Sequence, residues 1–175
     1  MPEDGLKSFL VITLICWVLN YKMDKMDNIV IRKGKPEDAH LDLRDTYLGE
    51  ELSHACVMRR IYELGIEVYI LGTREASKEE YEFLKNSNIK NNVPKGKKIY
   101  LTIDMDVFDL ENVGNYVPGG MSFSEGIEII KKIVQKNEIL GLDICEVCSR
   151  REDKTSITAG KLLYKILGYM GDNKE

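Results

Sequence analysis

The chain has 175 residues, 43% apolar and 31% charged, the balance of a soluble globular protein with room for one sizeable core. Its formal net charge is −4, which argues against non-specific nucleic-acid binding and suits a cationic partner. Four scattered cysteines, Cys16, Cys56, Cys145 and Cys148, are too few and too dispersed for a secreted disulfide framework, so the reading is a cytoplasmic protein.

Residues 9–19 (FLVITLICWVL) form an apolar run shorter than the roughly 20 residues a bilayer span needs. The acidic start MPEDGLK and the lack of a small-residue cleavage site after Leu19 do not suit a signal peptide. The run reads as a buried strand or helix with no membrane role; N-terminal anchoring is the minor alternative. Residues 20–37 are charged around a short apolar island at 29–31.

From about residue 66, apolar runs alternate with amphipathic stretches. Residues 66–71 (IEVYIL) predict a strand. Ser77 with Glu80 three residues on is a capping box opening a short helix. Residues 86–98 are a polar loop, and 99–103 (IYLTI) predict a second strand. Ser124 is placed to cap the helix EGIEIIKKIVQK, whose Ile127, Ile130 and Val134 recur at helical spacing. Residues 139–147 predict a third strand. Residues 155–170 predict a last helix with Ile157, Leu162, Ile166 and Met170 on or near one face and Gly171 as its stop. Apolar strands separated by helices indicate an α/β fold with a parallel sheet covered on both faces.

Two acidic clusters carry chemistry. The first is Asp38, His40 and Asp42; the second is Asp104 and Asp106, with Asp109 three residues later. In an extended segment alternate side chains share a face, so each cluster can aim its members one way. Carboxylates and an imidazole gathered together are costly without a cation, and oxygen-rich sites with some imidazole suit manganese or a similar divalent ion. A lone D-x-D is usually a solvated loop, but D-x-H-x-D is rarer, and the second cluster ends an apolar strand, where sites form in open parallel sheets. His54 alone would more often be a half-buried helix histidine. Glu146, read as lying within the third strand, is an acid that needs a partner. The Cys145-x-x-Cys148 pair lacks the helix start or second pair of a redox or zinc motif and reads as coincidence.

These residues resemble a family. DAHLD at 38–42, LTIDMDVFD at 101–109, VPGGMSFSEG at 117–126 and GLDICEV at 141–147 follow, in order, the motifs of the ureohydrolases (arginases and agmatinases), and residues 42–65 resemble the agmatinase-like members. The resemblance implies a three-layer α/β/α fold of the arginase/deacetylase kind, in part, with a binuclear manganese centre that hydrolyses a small cationic guanidino compound. Agmatine, giving putrescine and urea in polyamine biosynthesis, is the favoured substrate, with arginine or guanidinobutyrate as alternatives. It implies that Asp38 and Asp104 bridge the metals, that His40 and Asp106 complete one and that Asp42 serves the other. It further implies that His54 shuttles a proton, that Glu146 holds the guanidinium, and that the chains form a homo-oligomer.

The sequence also departs from the family. No histidine precedes His40 to match the family's upstream Gly-Gly-(Asp/Glu)-His ligand, and residues 1–37 match nothing upstream in it. The division expected is therefore an unmatched segment, 1–37, and a partial catalytic domain, 38–175, in a chain shortened at its N-terminus. The competing reading is an inactive remnant lacking one metal ligand. Leu110 stands where a proline is usual, the loop from there to Pro118 is short, and Cys148-Ser149 replaces the usual Asn-Pro.

Overall fold

A computed structural model describes residues 28–29, 41–72, 76–149 and 151–172. The apolar run at 9–19, Asp38 and His40 lie outside the described residues. The elements in chain order are β1 (Asn28–Ile29), α1 (Val57–Glu63), β2 (Glu67–Val68), α2 (Lys78–Asn86), β3 (Lys98–Asp104), α3 (Phe123–Lys136), β4 (Glu138–Cys145) and α4 (Lys154–Asp172). The strands form one parallel sheet in the order β2-β1-β3-β4. β1, from the apolar island before Asp38, sits between β2 and β3, with Asn28 opposite both Glu67 and Ile99.

Alternation along β3 separates two cores. Ile99, Leu101 and Ile103 face one way and pack with Ile129, Ile133, Leu162 and Ile166 of α3 and α4. Tyr100 faces the other way, against a smaller cluster of Leu41, Leu43, Met58, Ile61 and Val68, to which Phe83 and Leu84 of α2 add. Helices thus cover both faces, the three-layer α/β arrangement expected. Among the described residues no helix is long and apolar enough to cross a membrane.

Several boundaries differ from expectation for local reasons. The strand predicted at 66–71 pairs with β1 only at Glu67–Val68. Beyond it the chain turns to the loop after α2: the Lys90 N–H donates to the Val68 carbonyl at 3.0 Å and the Ile70 N–H to the Lys90 carbonyl at 2.8 Å. The box at Ser77 and Glu80 forms as read. Helix α3, however, is capped by Ser122, whose box partner is Glu125; Ser122-x-x-Glu125 satisfies the same spacing one half-turn before Ser124. In α4 the buried face is Thr155, Ala159, Leu162 and Ile166. Ile157, two residues out of phase with Thr155 and Ala159, is 55% exposed, and the helix continues past Gly171 to Asp172.

Candidate active site

Asp104 is the last residue of β3 and is 5% exposed. There the chain leaves the strand for a single 3-10 turn, Met105–Val107, and the Asp104 carboxylate accepts the Asp106 N–H at 2.8 Å. The extended run expected through Asp106 is therefore a tight turn, because a carboxylate at a strand end serves the orphan N–H of the turn that follows. Asp106 is 4% exposed, and both its oxygens accept the N–H of Asn115, at 3.1 and 3.3 Å. Asp109 lies on the surface, where it accepts the Tyr116 hydroxyl at 3.1 Å.

Glu146 follows the end of β4 rather than lying within it, with a left-handed φ of 58°, a conformation costly for a residue with a Cβ. Its carboxylate occupies the space where Gly114 lacks a side chain: a Cβ at 114 would stand 1.6 Å from Glu146 Oε2. The loop holding Gly114 and Asn115 therefore touches both Asp106 and Glu146. It is tied to the chain beyond β4 by an antiparallel bridge between Val113 and Val147 and by the Cys148 N–H, which donates to the Asn112 carbonyl at 3.1 Å. It is tied to the start of α4 by the Asn112 amide, which donates to Asp153 Oδ2 at 2.7 Å.

Asp42 comes from the segment that precedes α1. It is 8% exposed and has a φ of 54°, which an Asp tolerates better than most residues. Its carbonyl accepts the N–H groups of Met58 and Arg59 at 3.1 and 3.3 Å, satisfying orphan donors in the first turn of α1. The Arg44 N–H donates to the Ala55 carbonyl at 3.1 Å, which places the 3-10 turn His54–Cys56 beside this segment. Ser53 caps that turn. His54 meets the edge of the Tyr47 ring at 5.2 Å between centroids. Tyr47 is held by a two-residue hairpin in which Leu48 and Gly49 both have positive φ, the backbone that such a turn requires.

These segments enclose a cavity of about 220 Å³ lined by Asp42, His54, Asp104, Asp106 and Glu146. Arg44, Tyr47, Ala55, Glu80, Gly114 and Asn115 complete its wall; of these the sequence singled out only Glu80, and that as a helix cap. Gly114-Asn115 carries a turn signal, and Arg44 shares alternate spacing with Asp42, but neither marks chemistry unaided. Glu80 serves structure: its carboxylate accepts the N–H groups of Leu43 and Ser77 and pairs with Arg44 at 3.7 Å.

Among the described residues, no three His, Cys, Asp or Glu side chains are close enough to hold a metal ion by themselves. With Glu80 engaged as a cap, the donor set of the cavity is nevertheless the buried carboxylates of Asp42, Asp104 and Asp106, hard oxygen ligands whose burial together a divalent cation would offset.

Residues 37–168 match the arginase family. The chain belongs to the arginase family. An agmatinase from Pyrococcus horikoshii is 40% identical over 151 residues, 75% of this chain and 53% of that protein. An N(1)-aminopropylagmatine ureohydrolase from Thermococcus kodakarensis is 40% identical over 153 residues, 76% of this chain and 52% of that protein. Among solved structures, a triple mutant of the T. brucei arginase-like protein bound with Mn2+ superposes with a TM-score of 0.69 at 19% identity, covering 94% of this chain and 58% of that one. The chain spans about half the length of the curated relatives it matches. The arginase-family match begins at Glu37, yet β1 at Asn28–Ile29 already belongs to the sheet.

Proposed function

We propose that this chain hydrolyses a guanidino compound, agmatine first among them, to urea and an amine. The observation that carries the reading is the single cavity into which Asp42, His54, Asp104, Asp106 and Glu146 converge from four separate segments. The resemblance supports manganese, held by Asp42, Asp104 and Asp106 together with Asp38 and His40. The chemistry that bound manganese supplies is a water activated as a nucleophile near neutral pH. Glu146 pairs with the substrate guanidinium, turning its carbon toward the acidic floor of the cavity. His54, which lines the same cavity, gives a proton to the departing amine nitrogen. The half-buried position of Glu146 suits this task, since partial dehydration strengthens a carboxylate–guanidinium pair.

The test is metal stoichiometry and urea release in one purified, manganese-loaded sample. Two ions per chain with urea released from agmatine is the expected result. One ion or none, with no urea, overturns the reading and leaves an inactive remnant. The same assay with N(1)-aminopropylagmatine, arginine and guanidinobutyrate ranks the substrates by kcat/KM.

A further inference from the structure

Asp143, within the GLDICEV stretch, is used neither by the cavity nor by the mechanism above. It stands on β4 directly across from Thr102 of β3. The Thr102 hydroxyl donates to its carboxylate, and the Tyr100 side chain hydrogen-bonds to the same group. Thr102 is buried and Asp143 and Tyr100 are half-buried. One carboxylate thus gathers two hydroxyls from the neighbouring strand, alternate residues on one face of β3.

Two steps along that face is Asp104, and three residues beyond Asp143 is Glu146. The register between the strands is irregular just before the clamp, shifting between Ile99 and Tyr100 so that Ile99 pairs with Ile139 but Tyr100 with Gly141. Beyond that point the pairing must stay in step, because a slip of one residue turns every side chain to the opposite face. A one-residue slip of β4 would turn Asp143 away from Thr102 and carry Glu146 out of place relative to Asp104.

We propose that Asp143 is a positioning residue: by drawing the Tyr100 and Thr102 hydroxyls across the β3–β4 seam it holds the register that sets Asp104 and Glu146 against one cavity. The inference rests on the guanidino-hydrolase reading. Burial, together with the charge of Asp143 and the hydrogen bond it accepts, raises the Tyr100 phenol well above its ordinary pKa, so Tyr100 remains a donor across the working pH range.

The experiment uses the full chain and three variants, Asp143→Asn, Thr102→Val and Thr102→Ser. Mn2+ affinity is read from the electron paramagnetic resonance of the free ion, kcat and KM from urea release, and folding from thermal melts. Asp143→Asn and Thr102→Val are expected to weaken Mn2+ binding and raise the KM for agmatine about tenfold, the scale on which supporting groups act on a site. Thr102→Ser, which keeps the hydroxyl, should match the parent chain. Parent-like Mn2+ affinity and KM in Asp143→Asn and Thr102→Val overturn the inference while the hydrolase reading stands. Loss of the cooperative melt in both, with Thr102→Ser intact, also overturns it and makes Asp143 a fold clamp only. A parent chain that neither binds Mn2+ nor releases urea refutes the hydrolase reading and this inference with it.

Discussion

The wall carrying Asp104, Asp106 and Glu146 stands on strands of seven and eight residues paired along their length, whereas the wall carrying Asp42 and His54 stands on a loop, one 3-10 turn and strands of two residues. The first wall is backed by the larger core, with Leu101, Ile133, Leu162 and Ile166 fully buried. The second is backed by the smaller cluster around Met58 and Ile61 and is held in detail by backbone hydrogen bonds at Asp42 and Arg44. Sheet register therefore places Asp104 and the strand end that leads to Glu146, with Asp106 on the turn that follows β3, while helix capping and turn geometry alone place the residues of the other wall. Regions resting on few buried contacts open most easily, so the His54 wall is the side on which the cavity should yield first.

The comparison is sharpened by variants on either side. The largest effect expected is at His54: His54→Asn should lower kcat about 10²- to 10⁴-fold, the range for loss of a general acid or base, with Mn2+ binding retained. Equal loss of Mn2+ binding would mean that His54 holds the wall together instead of moving protons. Next come the two cores. Leu162→Ala should cost about 2–5 kcal/mol, and Ile61→Ala should fall toward the low end of that range because the smaller cluster can collapse more readily; both side chains are fully buried. Chemical denaturation of the two variants measures the difference, and a larger loss at Ile61 would reverse the ranking of the walls.

Gly114→Ala tests the strand wall at its tip. The new methyl would displace the end of the Glu146 side chain, which bends more readily than backbone, so the melt should barely move. KM for the guanidino substrate should rise about 10- to 100-fold, as for a misplaced binding group. An unchanged KM would show that Glu146 does not hold the substrate.

The smallest effect concerns Asp153, which anchors the Gly114 loop through Asn112. The Ser156 N–H, and then other hydrogen bonds including that from Asn112, hold its pKa down to about 2. A carboxyl group with a depressed folded-state pKa stabilises the fold above its unfolded value of about 3.9, and that contribution fades as pH falls toward 2. Asp153→Asn should therefore lower the melting midpoint slightly at pH 6 and by much less near pH 2. A constant difference across that window would separate the effect from ionisation.

The sequence alone carried the family resemblance and named the candidate site residues. D-x-D after an apolar strand, D-A-H-x-D, and an acid in the stretch 139–147 need no tertiary information, because alternation and apolar runs are local properties; that Glu146 stands beyond the end of β4 was not legible. The strand at 99–103, the capping box at Ser77 and the parallel α/β class were legible for the same reason. Tertiary structure decided what local rules leave open. Ser122 outcompeted Ser124 as the cap of α3, and Ile157 lost its place in the core to Thr155 and Ala159 through helix phase. β1 found its place in the sheet from an island too short to read as a strand. Gly114 and Asn115 acquired their roles only because a long-range bridge between Val113 and Val147 brings their loop onto Asp106 and Glu146. A backbone N–H and a missing side chain leave no mark in a sequence until the fold shows what stands opposite them.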